Sequence, residues 1–259
     1  MKDKLALVTG AASGMGRLYA ERLVAQGWRV VAVDLDQQGL LTLAQESNRI
    51  STFACDVSDS AAVGGLVEQV RAEHGPIARL AHAAAIMPGG SLEEMTAERI
   101  NRLMAINYGG TVNVTKAVLS QMLARGGGDI IVFGSVAGVA PSSYLGAYCA
   151  TKSAVNTYAE VLMHENADRG VRFLLVCPPA VATPLIAQAM EAGPQMLQKQ
   201  ARAKKMLSPD KVIDAIEAAL TNGRRIIYPG EAQMAQLFRR LAPGLLWKIV
   251  DKGNRRSAT

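Results

Sequence analysis

The chain has 259 residues, 49% of them hydrophobic and 19% charged, with a formal net charge of +6. That balance is typical of a globular protein and excludes a disordered or low-complexity chain, and no apolar run reaches the roughly 18 residues a membrane-spanning helix needs. Cys55, Cys149 and Cys177 have no metal-ligand spacing, and His74, His82 and His164 are scattered. The sequence therefore carries neither a metal site nor a disulfide framework, and it reads as a cytoplasmic protein without a signal or transit segment.

The first element, Lys4 to Thr9, is a short apolar run that ends at glycine and reads as a buried parallel strand. Gly10-Ala11-Ala12-Ser13-Gly14-Met15-Gly16 follows, and helical periodicity begins at Arg17. The glycines thus sit where a strand turns into a helix. Gly10 permits the tight turn, Gly14 lets the backbone approach a pyrophosphate, and Gly16 lets helix and strand pack closely. Free amides at the helix start, around Ser13 and Met15, suit phosphate binding.

A second apolar strand, Trp28 to Val33, ends in Asp34, 18 residues after Gly16. An acid at this distance accepts hydrogen bonds from the adenosine ribose and repels a 2′-phosphate. Ser13 and Leu35, where an NADP-type site would place a basic residue, are neutral. The pattern favours NAD(H) over NADP(H), with an NADP(H)-dependent ketone reductase as the alternative. Further strands are predicted near 50–54, 79–83, 129–133, 171–176 and 225–228, with helical patterns between them. The alternation predicts a single α/β domain, a doubly wound parallel sheet with helices on both faces.

Tyr148 and Lys152 are four residues apart, which puts both on one helix face about one turn apart. A free phenol, with a pKa of about 10, is nearly inert as a base at neutral pH. A cation about 4 Å away contributes roughly 4 kcal/mol at an effective dielectric of about 20, enough to lower that pKa by up to about 3.

Together these motifs resemble the short-chain dehydrogenase/reductase family, over about Lys4 to Thr183. The glycine turn looks like the family's cofactor turn, and Tyr148/Lys152 like its catalytic pair. Ser135, thirteen residues before Tyr148 and after an apolar strand, matches its catalytic serine. Asn107, in Met104 to Gly110, matches its helix asparagine, and Asp56 and Val57 its adenine-contacting segment. The resemblance implies a Rossmann fold, hydride transfer between nicotinamide and a secondary alcohol or ketone, and a homodimer or homotetramer. Tyr148 would exchange the proton with the substrate oxygen, and Ser135 would steady charge on that oxygen. Lys152 would lower the tyrosine pKa and hold the nicotinamide ribose. Asn107 would hold a water leading from Lys152 to solvent, and Thr183 would bind the carboxamide.

Two segments depart from the family. Ala83-Ala84-Ala85 stands where Asn-Ala-Gly is usual, which removes a bracing amide but leaves small residues for close backbone approach to the cofactor. Pro178-Pro179 replaces Pro-Gly; proline fixes φ and removes a donor, so the loop carrying Val181 and Thr183 is expected to shift. A non-catalytic nucleotide sensor or scaffold on the same fold is the rival reading, though it would not need Ser135, Tyr148 and Lys152 together.

Residues 1–230 read as the catalytic domain, with a substrate lid at about 184–207 rich in methionine and basic residues. Flexible methionines suit an adaptable apolar pocket and a moderately lipophilic substrate. Residues 231–259 read as a basic amphipathic extension. From Arg239 onward it carries six basic residues against Asp251 alone, so it holds +5 of the net +6. Such a segment with Trp247 can cover the pocket, pack on another subunit or lie on an anionic membrane surface. Nucleic acid is a poor fit to charge confined to so short a stretch.

Overall fold

A computed structural model describes residues 4–254. Seven parallel strands form one sheet in the order β3-β2-β1-β4-β5-β6-β7. They are β1 (Leu5–Thr9), β2 (Arg29–Asp34), β3 (Ile50–Ala54), β4 (Ile77–His82), β5 (Gly128–Phe133), β6 (Val171–Val176) and β7 (Ile226–Ile227). Strand β4 begins two residues before the predicted 79–83 and ends at His82, which leaves Ala83 to the loop. The last strand is only two residues long: Tyr228 is followed by Pro229, which has no amide to extend a ladder.

The connecting helices are α1 (Gly14–Ala25), α2 (Gln37–Ala44), α3 (Ser60–His74), α4 (Ala97–Met104), α5 (Gly110–Ala124), α6 (Gly146–Glu165), α7 (Gln195–Arg202) and α8 (Pro209–Thr221). Two more, α9 (Ala232–Leu241) and α10 (Pro243–Asn254), close the described chain. Helices α1 and α8 cover one face of the sheet, where Tyr19, Leu23, Val212 and Ile216 meet alternate residues of β1, β2 and β6. Helices α3, α5 and α6 cover the other, where Val67, Val118, Val155 and Met163 meet the intervening residues. A strand buried on both faces needs an unbroken apolar run, which is what β1, β2 and β5 supply. A third apolar cluster, including Met87, Leu145, Ile186 and Leu197, lies between the α6 start and the lid.

The strand order reverses between β1 and β4, so their C-terminal ends open a crevice where ligands bind in sheets of this kind. At the opposite end, Arg79 is buried in a charged network. Its guanidinium donates to Asp129 Oδ2 at 2.8 and 3.0 Å, to Glu217 Oε1 at 3.1 Å and to the Tyr19 hydroxyl at 3.0 Å. It also lies 4.6 Å from the Trp28 ring centroid.

Candidate active site

The glycine turn forms as the spacing predicts. Gly10 has φ of +68°, and a Cβ there would lie 2.8 Å from the Ala84 amide nitrogen. At Gly16 a Cβ would sit 2.1 Å from the Gly10 carbonyl oxygen, so only glycine lets α1 start this close to β1. Asp34, at the end of β2, accepts from the Ala12 amide at 3.0 Å and the Asp36 amide at 3.1 Å, one on each oxygen. These bonds aim the carboxylate across the turn and leave each oxygen with further accepting capacity.

Gly10, Ser13, Gly14, Met15 and Gly16 line a groove of 300 Å³ with Asp34, Leu35, Asp56 and Val57. Ala83, Ala84, Ala85 and Thr183 complete its inner wall. Among the described residues, no lysine or arginine lines it. Asp56 is ordered by Ser58, whose hydroxyl and amide donate to it at 2.7 and 2.9 Å; these bonds hold its carboxyl below the usual range. Val57 is held by Asn113, which donates to its carbonyl at 2.9 Å, and by Gly110, whose missing side chain leaves room for the valine. Open amides at a helix start and a carboxylate at the far end fit a dinucleotide.

The groove meets a second cavity of 410 Å³, shared through Met15, Ala83, Ala85 and Thr183. Ser135, Tyr148, Lys152, Pro178 and Val181 line this second space. Ser135 follows β5, and its hydroxyl caps a short turn by accepting from the Ala137 amide at 3.0 Å. The hydroxyl also acts on the Tyr148 phenol, favouring its ionised form. Lys152, one helical turn beyond Tyr148, donates to the Phe133 carbonyl at 2.7 Å and lies 5.8 Å from the tyrosine ring centroid.

The electrostatics differ from the sequence expectation. Burial raises the Tyr148 pKa above its ordinary value, and the Ser135 hydroxyl works against that rise without cancelling it. Burial also pushes Lys152 down to about 8. Spacing alone puts a full positive charge about one turn from the phenol, at an effective dielectric of about 20. In the folded protein both groups are desolvated, which disfavours phenolate and ammonium alike.

Asn107 lines neither cavity. It lies in a π-helical turn, Ala105–Gly109, in which the Gly110 amide reaches the Ala105 carbonyl. Its side chain accepts from the Ile86 amide at 2.9 Å and donates to the Ile86 carbonyl at 2.9 Å and to Thr151 at 3.0 Å. Both amide hydrogens are thus committed to pinning the loop after β4 onto α6. In this arrangement the asparagine side chain braces two elements.

The departures are accommodated. In place of the missing amide, the Thr9 hydroxyl accepts from the Ala84 amide at 3.3 Å and pairs with His82 Nδ1 at 2.8 Å. His82 is kept neutral, its pKa pushed down to about 3 by burial and then by Lys152. Ala182 and Leu207 tie the strand-like segment through the bonds Ala182 N to Leu207 O and Leu207 N to Ala180 O, both 3.0 Å. Thr183 then abuts Gly14, where a Cβ would lie 3.4 Å from the threonine Cβ.

Sequence reasoning missed Asn156. It accepts from the Ser135 amide at 3.4 Å and donates to the Ser135 carbonyl at 3.0 Å, gripping the serine backbone from both sides. The signal was present, since Tyr148, Lys152 and Asn156 repeat every four residues along one face of α6. The inner faces of α9 and α10 also enter the site: Ala232, Ala235, Leu246 and Val250 line the larger cavity. Asn254 latches α10 there, donating to Ser142 and Ser143 at 3.1 Å and accepting from the Met196 amide at 3.2 Å. Of the open alternatives for the tail, the structure thus displays pocket covering; Arg255 and Arg256 lie outside the described residues.

Residues 4–193 match the family model described as short chain dehydrogenase. Among curated proteins, the chain is 35% identical to D-threitol dehydrogenase from Mycolicibacterium smegmatis, over 89% of this chain and 93% of that one. It is 30% identical to the 2,5-dichloro-2,5-cyclohexadiene-1,4-diol dehydrogenase LinX of Sphingobium indicum, over 85% and 88%. Among solved structures, a short-chain dehydrogenase/reductase from Burkholderia phymatum in complex with NAD superposes with a TM-score of 0.82 at 27% identity, over 98% of each chain. The chain belongs to the short-chain dehydrogenase family and is an oxidoreductase acting on CH–OH groups.

Proposed function

We propose that this enzyme is an NAD(H)-dependent dehydrogenase of a moderately lipophilic secondary alcohol, or reductase of the matching ketone, with Tyr148 as general acid and base. The observation that carries the reading is the convergence of Ser135, Tyr148 and Lys152 on one largely apolar cavity that opens onto the groove ending at Asp34. Its walls include Met87, Leu145, Ile186, Leu197, Leu246 and Val250. The substrates named for the two relatives, a small polyol and a chlorinated cyclohexadiene diol, agree with an alcohol chemistry, and three free cysteines agree with a cytoplasmic setting.

Hydride transfer is what the bound nicotinamide supplies. The chain does the rest. Glycine-turn amides hold the phosphates, and Asp34 accepts from the adenosine ribose hydroxyls. Thr183, at the junction of groove and cavity, orients the carboxamide. Tyr148, kept as a neutral phenol by burial, donates its proton to the substrate oxygen in reduction and recovers it in oxidation. Ser135 donates a second hydrogen bond to the same oxygen and stabilises its developing charge. Lys152 lies against the ring and replenishes the proton.

The test titrates wild type and Tyr148→Phe with NADH and NADPH, then measures turnover on secondary alcohols and ketones of graded lipophilicity. The variant should keep NADH affinity and lose turnover by about 10²-fold or more. Full turnover by the variant would refute the assignment of Tyr148. Activity confined to small polyols would refute the lipophilic substrate. NADH binding without turnover on any member of the panel would favour a nucleotide sensor.

A further inference from the structure

We propose that the outward face of α9 and α10 docks on an anionic lipid bilayer, placing the cavity mouth at the membrane surface. The two helices pack on each other and α10 packs on α7. Their inner residues, Leu246 and Val250, point into the cavity already described. Their outer residues form a separate apolar surface. On α9, Leu237, Phe238 and Leu241 recur at helical spacing along one stripe and are exposed, Leu241 by 73%, while Met234, also exposed, sits at the cavity rim. On α10, Leu245 and Ile249 are one turn apart and exposed, with Trp247 beside them. Seven of the twelve large hydrophobic side chains exposed among the described residues fall within these two helices, which concentrates the molecule's unburied apolar surface in one place. A concentration of this kind marks an interaction surface.

Charge selects the occupant. Arg239, Arg240, Lys248 and Lys252 lie on the same two helices, against Asp251 within them and Glu231 at the α9 cap. The lid that α10 packs against adds Lys199, Arg202, Lys204 and Lys205, all exposed, with no acidic residue between Glu191 and Asp210. Among the described residues, none of these eight cations forms an ion pair. A two-fold contact with a second copy would set this basic surface against itself, with no acidic patch to answer it. An anionic bilayer answers both features: lipid phosphates meet the cations, and the acyl boundary takes up Leu, Phe and Trp side chains. No described helix is long and apolar enough to cross a membrane, so the contact is peripheral. A lipid-dissolved substrate would then reach the cavity beneath the same two helices.

The experiment is flotation of the full-length protein with vesicles of phosphatidylcholine alone and of phosphatidylcholine mixed with phosphatidylglycerol. It needs no turnover, so it stands or falls separately from the catalytic reading. Wild type should float with the anionic vesicles and bind the neutral ones at least about tenfold more weakly. Raising salt from about 0.1 M to about 1 M shortens the screening length from about 10 Å to about 3 Å and should release it. Leu241→Asp/Ile249→Asp and Arg239→Gln/Arg240→Gln/Lys248→Gln should each weaken anionic-vesicle binding at least about tenfold, while the circular dichroism melt stays that of wild type. Absence of wild-type flotation, equal binding to both vesicle types, or unchanged binding by both variants would overturn the proposal. So would a lipid-free oligomer, seen by light scattering, that dissociates in Leu241→Asp/Ile249→Asp, because a second copy would then be the occupant.

Discussion

Replacing Lys152 by methionine separates what the lysine does for chemistry from what it does to the fold. Lys152 is buried, and burial takes its pKa from 10.5 to about 8. At about 1.36 kcal/mol per pH unit, holding the charged form in the fold costs about 3 kcal/mol at neutral pH. The sign follows from proton counting. Between about 8 and 10.5 the unfolded chain keeps a proton that the folded chain has lost, so stability rises with pH across that window. Below it the penalty is complete, and above it the penalty is gone. Methionine fills a similar volume without the charge but leaves the Phe133 carbonyl, now bonded at 2.7 Å, without this donor, at about 1–3 kcal/mol. The net stability difference at neutral pH is therefore small, with the variant level with wild type or more stable by up to about 2 kcal/mol. The change with pH is larger and independent of packing details. Relative to the variant, wild type should gain about 2.5 kcal/mol between about pH 7 and pH 10. Urea titrations of both proteins without dinucleotide measure it. A difference in stability that stays constant over this range would refute the reasoning, whatever its size. Turnover by the variant should fall sharply while its fold survives.

The remaining predictions concern the cofactor, the direction of proton flow and the far end of the sheet. Asp34→Ser removes a charged acceptor from the ribose and the repulsion toward a 2′-phosphate; titration should show NADH affinity falling about tenfold or more and the NADH/NADPH preference moving toward NADPH. An unchanged preference would mean that another group selects the cofactor. Because burial raises the Tyr148 pKa, alcohol oxidation should climb with pH through and beyond about 9 rather than level off near neutrality, and an early plateau in kcat against pH would contradict the buried phenol. Asp129→Asn removes the carboxylate paired with Arg79 at 2.8 Å inside the fold and should lower the unfolding free energy by about 3 kcal/mol in urea. A loss below about 1 kcal/mol would show that Glu217 alone compensates the arginine.

The parts of this protein that were legible in its sequence are those set by local chemistry. The turn from Thr9 to Gly16 needs glycine for reasons of contact and φ that act within a few residues, and the folded chain bears them out in the close approach to Ala84 and to the Gly10 carbonyl. The strands were legible because a sheet covered on both faces demands continuous apolar runs. The parts that were not legible depend on what tertiary packing brings near. Spacing puts Lys152 beside Tyr148 but carries no information on how dry their surroundings become, and desolvation decides the direction of both pKa values. The π turn at Asn107 comes from one hydrogen bond shifted by a residue, which leaves no mark on apolar periodicity. In α10, Leu245, Leu246, Ile249 and Val250 offer two apolar faces, and only the packed structure distinguishes the pair that lines the cavity from the pair that faces outward.

The two ends of the sheet handle buried polar groups in opposite ways. At the N-terminal end, Arg79 has two carboxylates, a phenol and an aromatic face, and Asp129 adds a bond from Arg172 at 2.7 Å. Every charge there has an opposite charge, as a stabilising network requires. Three residues further along the same strand, His82 has one hydroxyl partner and a buried Nε2 with none among the described residues. Next to it, Lys152 is held by a single carbonyl and no carboxylate. A fold under selection for stability alone would pair or remove such groups, because an unmatched buried charge is among the larger penalties a core can carry. A carboxylate beside Lys152 would stabilise the ammonium, but it would also repel the charge that the proposed mechanism develops on Tyr148 and on the substrate oxygen. On the proposed reading of Tyr148 as general acid and base, the poor satisfaction at the C-terminal ends of β4 and β5 follows from the chemistry done there.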